Sequence, residues 1–420
     1  MKTKVVVTVA ALGTALLAST APADGAAAAT PASPQSVLDW NAVAVSTVLA
    51  SGQFQAQGFT HMAYVQASVL DAVVAVEHRG HAYVGNRQAP AGASLDAAVA
   101  TAAYDILALQ YPAQSSVYGQ HFVDALAAVP DGTAKSDGIA AGHLAAQDLL
   151  AARAGDGLEA NVPYTFGSGP GVWTLPMGTA ATTPQTPWVG QMRPFLIDRP
   201  DEFLPPPPPA LTTGRYAKDL EETEAYGSAS STVRTPDETT VARFWSANVV
   251  DVYNATMRSV VTKRGADAVA AATALALTDL VGADSLIGCM NAKYHYSFWR
   301  PYGAIRNADT DGNPATTADP TWVPLLPTPN HPEYPAAHGC ITSGEGEVLA
   351  AVVGTHRIDV DIASPVTATT RHFDTVAQLT REIVDARVWA GLHYRNSGEV
   401  GVRLGRDVAQ SGLAAFGIDS

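Results

Sequence analysis

The sequence predicts an all-α protein, a helix-bundle fold whose helices are joined by long Pro/Gly-rich loops. Alanine, the strongest helix former, dominates the apolar residues of this 420-residue chain. Apolar residues also recur at helical spacing, as where Met62, Val65, Val69 and Val73 fall on one face. Runs of β-branched residues in strict alternation, which would indicate strands, are hard to find. Together these observations favour helices throughout the chain.

The first 23 residues have the pattern of a secretory signal peptide. Lys2 and Lys4 precede an apolar run from Val5 to Leu17, and Ala21-Pro22-Ala23 is a small-residue cleavage site. The apolar run is short for a membrane span, so export is favoured over a membrane anchor. We therefore expect a secreted, extracellular protein.

Breaks in the helical pattern divide the rest of the chain into four segments. Residues 24–34, rich in Ala and Pro, are expected to form a flexible tether. An N-terminal helical half over 35–154 precedes a Pro/Gly-rich connecting arm over 155–214, which contains five consecutive prolines. This arm is a candidate cover for a pocket entrance. A C-terminal helical half over 215–420 follows and carries the candidate site.

The acidic composition limits the partners of the protein. The formal net charge is −14 and the pI about 5.1, so a general attraction to nucleic acid or to anionic lipid is not expected. No later segment predicts stable membrane insertion, because Asp267, Asp279 and Asp284 interrupt the apolar stretch from Ala266 to Met290. Basic residues gathered at one place in such a chain would instead indicate a local anion site.

Two separated segments supply the first candidate residues of such a site. Lys293 and Arg300 are seven residues apart and share one helix face if the helix continues through both, with Pro301 ending it. Considered alone, this pair equally suits solvated cations at a helix end. The stretch from His331 to His338 reads His-Pro-Glu-Tyr-Pro-Ala-Ala-His. Its prolines fix the backbone, and its alanines leave main-chain N–H groups open to an anion.

A third segment adds an arginine and a histidine. Arg387 continues the apolar helix stripe of Leu379 and Ile383, and an arginine on a buried helix face needs an anionic partner. Arg387 and His393 converge only if the helix breaks near Gly391, because a six-residue spacing leaves them about 120° apart. Ser397 would then cap a final helix. Three cations and two histidines together suit a tetrahedral oxyanion.

Two other groups of residues leave alternatives open. Cys289 and Cys340 are the only cysteines, and they form either a disulfide beside the basic segments or two buried free thiols. Asp309, Asp311 and Asn313 alternate as in a calcium loop, but the continuation of that motif is absent. A solvated loop is therefore preferred there over a calcium site.

The three basic segments resemble the vanadium-dependent haloperoxidase and type-2 phosphatidic acid phosphatase superfamily. The pattern of that superfamily is Lys-x6-Arg-Pro, then Pro-Ser-Gly-His, then Ser-Arg-x5-His-x3-Asp. Order and spacing match, and the helical layout and Pro-rich arm extend the likeness to nearly the whole mature chain. The resemblance implies an all-helical fold like that of soluble bacterial haloperoxidase-type proteins. The matching segments here are Lys293-x6-Arg300-Pro301, Pro335-Ala336-Ala337-His338 and Ala386-Arg387-x5-His393-x3-Ser397.

The chain departs from the superfamily pattern at three positions. Ala336 replaces the serine, so one hydroxyl hydrogen bond to the oxyanion, typically about 1 kcal/mol, is missing. Ala337 replaces the glycine but keeps a backbone N–H. Ser397 replaces the final aspartate, and it can orient His393 without supplying a charge.

By this resemblance the protein would be a vanadium-dependent haloperoxidase that oxidises halide with hydrogen peroxide and halogenates a small organic substrate. Vanadate would be the cofactor, and phosphate would fit the same site. His331 would lie in the halide pocket and favour bromide over chloride. Lys293, Arg300, Ala337 and Arg387 would bind the vanadate, His393 would bind its metal, and His338 would be the acid–base group.

Two other functions would use the same residues. In a soluble acid phosphatase, His393 would become a nucleophile forming a phosphohistidine, and His338 would protonate the leaving oxygen. A non-catalytic oxyanion-binding relative is the other alternative, favoured by the changes at Ala336 and Ser397. The export signal, the helical N-terminal half and the Pro-rich arm favour the peroxidase.

Overall fold

A computed structural model describes residues 32–175 and 182–418 of the chain. The predicted signal peptide and the tether up to residue 31 lie outside the described residues. Helices make up most of the described part, which confirms the predicted all-α class. The helices are α1 (Gln35–Ser51), α2 (Gln55–Glu77), α3 (Leu95–Gln110), α4 (Ser115–Ala128), α5 (Thr133–Ala152), α6 (Gly214–Gly227), α7 (Pro236–Phe244), α8 (Val249–Lys263), α9 (Ala268–Tyr296), α10 (Pro301–Arg306), α11 (Ala337–Val353), α12 (Val376–Trp389) and α13 (Arg395–Ala415).

A short antiparallel hairpin interrupts the helical pattern between α11 and α12. Its strands are β1 (Val360–Ser364) and β2 (Thr369–Phe373), with Ile362 opposite Arg371. Alternate β1 side chains are buried against the helices, as expected for a strand with one covered face. Five residues of alternation are too few to stand out from a helical background, so the sequence analysis missed this element.

Helix α9 forms the centre of the core and leads directly to the candidate site. It is apolar on all sides and packs against α2, α8, α11 and α13, as expected for a fully buried helix. Asp267 caps its N-terminus by accepting from the Ala270 N–H at 2.9 Å. Helices α11 and α13 approach closely, because a Cβ at Gly405 would lie 1.9 Å from the Cys340 carbonyl oxygen. These contacts fix the two helices that begin at the site.

Helices α2 and α9 are long and apolar enough to cross a membrane by length and composition alone. In each, however, 89% of the most apolar 18-residue stretch is buried inside the fold. The apolar surface of both helices is therefore already covered by other parts of the protein.

The arm between α5 and α6 is mostly irregular and packs along α9. The buried Asp284 carboxylate accepts backbone N–H groups of Phe195, Leu196 and Ile197 at 2.6–3.0 Å. None of the described arm residues lines the cavity of the candidate site. The described arm packs on α9, and Gln185 accepts from the Asn330 N–H at 3.2 Å, next to His331. A cover over the pocket entrance stays a prediction.

Candidate active site

A cavity of about 280 Å³ lies at the N-terminus of α11. Segments far apart in the sequence form its walls, and all three histidines singled out in the sequence line it. The polar lining residues include His331, His338, Arg387 and His393. The apolar lining residues include Phe54, Ala56, Val249, Leu286, Leu326, Pro327, Pro329, Ala337, Ile341 and Leu392.

A chain reversal brings Lys293 and Arg300 to the layer behind the cavity wall, where Arg300 contacts the lining histidines His331 and His393. The predicted shared helix face is wrong. Helix α9 ends at Tyr296, where Ser297 takes a left-handed conformation with φ of 46°. Arg300 is the N-cap of α10, and Pro301 starts this helix and does not end α9. The two cations meet because the chain turns between them.

Arg300 joins the second and third basic segments. Its Nε donates to the His331 carbonyl at 2.9 Å, and its Nη1 donates to the Leu392 carbonyl at 3.0 Å. The same Nη1 lies 3.1 Å from Nε2 of His393, and Nη2 lies 3.0 Å from Nδ1 of His331. One buried guanidinium thus contacts both segments and two of the histidines.

Arg387 and His393 converge because the helix between them breaks, as their six-residue spacing required. Helix α12 ends at Trp389, and Gly391 follows with φ of 75°. Arg387 Nη1 donates to the Trp245 carbonyl at 3.1 Å, whereas its buried Nε has no hydrogen-bond partner. An orphaned donor on a buried cation beside a cavity indicates room for an acceptor there.

Glu333 is a residue of the site that the sequence analysis did not identify. It is completely buried, and its Oε1 accepts from His393 Nδ1 at 2.8 Å and from the Tyr394 N–H at 3.2 Å. The available signal was that Glu333 is the one acid within the His331–His338 stretch.

Ser397 does not make the contact expected of it. It lies inside the first turn of α13, whose N-cap is Tyr394, so the predicted capping role is wrong. No hydrogen bond joins Ser397 to the His393 ring, because Glu333 takes that position. The Ser397 hydroxyl and Glu333 Oε2 face the same small space without a hydrogen bond of good geometry, although the hydroxyl helps to lower the pKa of that carboxyl.

His338 lies in the first turn of α11 with a free ring nitrogen. Its Nε2 is shielded from solvent and has no hydrogen-bond partner. Ala336 is the N-cap and provides no side-chain cap, which is the local consequence of losing the hydroxyl. First-turn N–H groups, including that of Ala337, have no partners within a helix, and they favour an anion at this end.

The electrostatics of the cavity call for an external anion. Burial is the main cause that lowers the pKa of Lys293 to about 8, of Arg300 to about 10 and of Arg387 to about 9. Burial also raises the pKa of Glu333 to about 7, against the opposing effect of Lys293 and Arg300. Lys293 and Arg300 therefore share one partly protonated carboxyl, and Arg387 is a third buried cation beside Arg300. Such a surplus of buried positive charge is costly unless an anion binds.

Burial and the nearby cations hold the histidines neutral. The pKa values of His331, His338 and His393 all fall well below the ordinary value, first through desolvation and then through the arginines and Lys293. Because His393 Nδ1 faces a carboxylate, the proton of the neutral ring is on Nδ1, and the Nε2 lone pair points toward Arg300.

The two open alternatives of the sequence analysis are resolved by contacts. Cys289 and Cys340 are free and buried side by side, and burial together with the Cys289 thiol raises the pKa of Cys340. Asp311 and Asn313 are buried, not solvated, because Asp311 accepts from the Asn313 N–H and from Thr316. In the described parts of the chain, no group of three His, Cys, Asp or Glu residues is arranged to hold a metal ion.

Solved structures with the same fold are vanadium enzymes. One is described as the first bacterial vanadium-dependent iodoperoxidase; it is 20% identical, covers 91% of this chain and 96% of its own, and gives a TM-score of 0.76. A bacterial vanadium-dependent chloroperoxidase in its holo form is 17% identical, with coverages of 86% and 91% and a TM-score of 0.70. Its apo form is 16% identical, with coverages of 86% and 92% and a TM-score of 0.68. The chain therefore has the vanadium haloperoxidase fold.

A family comparison agrees with the fold over the part that carries the site. Residues 273–416 match the protein-family model described as the VCPO second helical-bundle domain. No curated protein has a matching sequence. The match confirms the resemblance drawn from the three motifs, all of which lie within these residues. Both Lys293 and His393 lie inside the matched residues.

Proposed function

We propose that the protein is a vanadium-dependent haloperoxidase that binds orthovanadate in the cavity at the start of α11. The supporting observation is the cluster of Lys293, Arg300 and Arg387, three buried cations around the histidines of the cavity. The Glu333 carboxyl is held against His393 Nδ1, and the Nε2 of this ring faces Arg300. Hydrogen peroxide and a halide would be the co-substrates, as in the peroxidases that share the fold.

The residues present fit orthovanadate. The anion brings its own oxygen ligands, so it needs cations, N–H donors and a single imidazole, and not a cluster of three metal-ligating side chains. Arg387 Nε and His338 Nε2 are the buried polar atoms left without partners at this cavity, and both would meet oxygen atoms of the anion. His393 would bind the metal through Nε2.

The chain's own residues would perform three tasks. Lys293, Arg300 and Arg387 would neutralise the charge of the bound oxyanion, which their burial makes effective because few waters compete. His338 Nε2 would accept and return the proton of the incoming hydrogen peroxide. When bound, vanadate supplies a Lewis-acid centre that polarises the peroxide without a change in its own oxidation state.

The opposite side of the cavity is apolar and would receive the organic substrate. Phe54 packs against His331 with ring centroids 5.3 Å apart, and Leu326 and Pro327 continue this wall. Such a surface excludes water from the oxidised halogen and suits a small apolar or aromatic compound. His331 lies between this wall and Arg300, where a halide would approach.

A paired assay tests the proposal. Purified protein is freed of bound anions and supplied with orthovanadate, hydrogen peroxide and bromide, and bromination of a phenol is followed with each component omitted in turn. We expect turnover only when all components are present, and loss of turnover in His393→Ala. Turnover without orthovanadate, or retained turnover in His393→Ala, would contradict the assignment.

A phosphatase is the second candidate, because one observation also favours it. A neutral His393 whose Nδ1–H is held by a carboxylate is the arrangement of an activated imidazole nucleophile. Release of phosphate from an aryl phosphate, inhibited by orthovanadate, would support this function. Absence of both activities together with tight phosphate binding would indicate a non-catalytic oxyanion-binding protein.

We also propose that residues 1–23 direct export of the protein and are then removed. The supporting observation is the sequence pattern of Lys2, Lys4 and the apolar run that follows. The intact mass of protein recovered from the culture medium tests this proposal. We expect a mass that corresponds to a chain starting near residue 24, whereas an uncleaved chain retained in the cells would contradict it.

A further inference from the structure

We propose that Glu333 is the positioning residue that keeps the ring of His393 in its Nδ1-protonated form, with Ser397 marking the place where a second carboxylate could take over this role. The inference deepens the proposed function, since a fixed Nε2 lone pair is what an oxyanion centre at this cavity would require. Glu333 itself touches neither substrate nor anion; it acts through His393.

Two hydrogen bonds hold the Glu333 carboxylate against His393. Glu333 Oε1 accepts from two donors of consecutive residues, Nδ1 of His393 and the backbone N–H of Tyr394. Because Oε1 already accepts the Tyr394 N–H, a proton on this carboxyl would lie on Oε2. Oε1 therefore presents an acceptor to the imidazole. The ring must then carry its proton on Nδ1.

The backbone of Glu333 is fixed as firmly as its side chain. Its N–H donates to the Phe298 carbonyl at 2.9 Å, and its carbonyl accepts from Lys293 Nζ at 2.7 Å. Pro332 and Pro335 restrict the chain on both sides. A movement of the main chain at Glu333 would therefore break contacts with the first basic segment, and this couples Lys293 to the position from which the carboxylate reaches His393.

The second carboxylate oxygen of Glu333 faces a small space that it shares with Ser397. Glu333 Oε2 and the Ser397 hydroxyl are both buried without hydrogen-bond partners, and they line a space of about 10 Å³ together with Tyr216 and Tyr394. This space has about the size of one water molecule. Removing the Glu333 side chain beyond Cβ would enlarge it enough to receive a carboxylate from position 397.

The test compares four forms of the full-length protein: wild type, Glu333→Gln, Glu333→Ala and the exchange Glu333→Ala/Ser397→Asp. Imidazole nitrogen-15 NMR of the anion-free proteins reports which ring nitrogen carries the proton. The His393 signals among the 11 histidines are assigned by their absence in His393→Asn. Calorimetry with orthovanadate gives the dissociation constant of each form.

We expect the Nδ1-protonated ring in wild type and in Glu333→Gln, because the Tyr394 N–H selects the amide oxygen at the same position. In Glu333→Ala the ring loses its Nδ1 acceptor, and only the Arg300 Nη1 donor at Nε2 still favours the Nδ1-protonated form. We therefore expect a smaller share of this form and about 10- to 100-fold weaker orthovanadate binding, the usual loss when the partner of a metal-bound histidine is removed. The exchange variant should recover the ring form and most of the affinity.

A matched control separates positioning from simple loss of a buried acid. Glu347 is nearly buried on α11 and accepts from His356 Nε2 at 3.0 Å, away from the cavity. Glu347→Gln should leave both the His393 signals and the orthovanadate affinity unchanged.

Three results would overturn the proposal: an unchanged His393 ring form in folded Glu333→Ala, no recovery in a folded exchange variant, or a changed ring form in Glu333→Gln. If Glu333→Ala does not fold, the His393 ring form in Glu333→Gln decides whether the proposal holds. If wild type binds no orthovanadate, the proposed function fails, while the NMR comparison still tests the positioning role.

Discussion

The protein buries two groups of ionisable side chains of opposite sign. Lys293 on α9, Arg300 at the start of α10 and Arg387 on α12 surround the histidines of the cavity. Deeper in the core lie Asp279 on α9 and Glu345 on α11, and each has one oxygen without a hydrogen-bond partner. Burial is the main cause that raises the pKa of Glu345, and Asp279 adds to it. Burial disfavours the charged form of the side chains in both groups, but the charge that remains differs between them.

The difference follows from the chemistry of the side chains. Burial raises the pKa of Asp279 to about 8, so this acid binds a proton at pH 7, and it raises the pKa of Glu345 in the same direction. The arginines of the cavity, with pKa values lowered only to about 9 and 10, keep their charge. Proton binding therefore reduces the buried charge of the acidic pair without a ligand, whereas the cationic cluster keeps its charge and requires an anion from outside.

The largest effect expected from this comparison is on anion affinity in Arg387→Met. Loss of a charge-assisted hydrogen bond of about 1.5–3 kcal/mol should weaken orthovanadate and phosphate binding by about 10- to 150-fold. Without an anion, the variant should be as stable as wild type or more stable, because a buried cation with one hydrogen bond is removed. Calorimetry and thermal unfolding measure the two effects.

Arg234→Met is the matched control for that variant. Arg234 is half-buried outside the cavity and donates to the carbonyls of Tyr226 and Ser228. Its loss should lower stability and leave anion affinity unchanged. A large loss of anion-free stability in Arg387→Met, with unchanged affinity, would show that Arg387 serves the fold and not a ligand.

The next effect is stabilisation of the folded protein by phosphate. An anion that binds only the folded state at 100 times its dissociation constant should add about 2.7 kcal/mol to the free energy of unfolding. Urea unfolding of wild type with and without phosphate at constant ionic strength measures this, with chloride as the control salt. Equal stabilisation by chloride at that ionic strength would contradict a specific site for a tetrahedral oxyanion.

A third effect concerns the acidic pair and the pH dependence of stability. Between about pH 4 and pH 8 folded Asp279 keeps a proton that the unfolded chain has lost, so stability should fall as pH rises through this window, by at most about 1.4 kcal/mol per pH unit. Asp279→Asn should flatten this part of the profile, whereas Asp124→Asn, at an exposed position, should not. Parallel profiles for wild type and Asp279→Asn would contradict neutralisation by protonation.

The smallest effect is the preference between halides. With His331 neutral beside Arg300, we expect faster oxidation of bromide than of chloride at matched concentration and pH. His331→Phe should reduce this difference while leaving orthovanadate affinity near that of wild type. Equal turnover of both halides by wild type would remove the hypothesis.

Much of this arrangement could be predicted from the sequence, because the spacing of residues along a helix determines which way their side chains point. The stripe of Leu379 and Ile383 predicted the buried position of Arg387, and the six-residue gap to His393 required the break that occurs near Gly391.

What the sequence could not show depends on how the chain turns between helices. The αL conformation of Ser297 is unusual for a serine, so the end of α9 before Arg300 left no clear signal. Glu333 was missed because a carboxylate in a proline-rich loop has no helical period that would reveal the direction of its side chain. Its partner, His393, lies 60 residues away and becomes visible only in three dimensions.

Calorimetric titration of the anion-free protein with orthovanadate at pH 7, repeated in the presence of saturating phosphate, tests the central claim most directly. The buried cationic cluster predicts one orthovanadate per chain, competition by phosphate, and weaker binding in Arg387→Met. Absence of binding by both anions to correctly folded protein would show that Lys293, Arg300 and Arg387 do not form an oxyanion site.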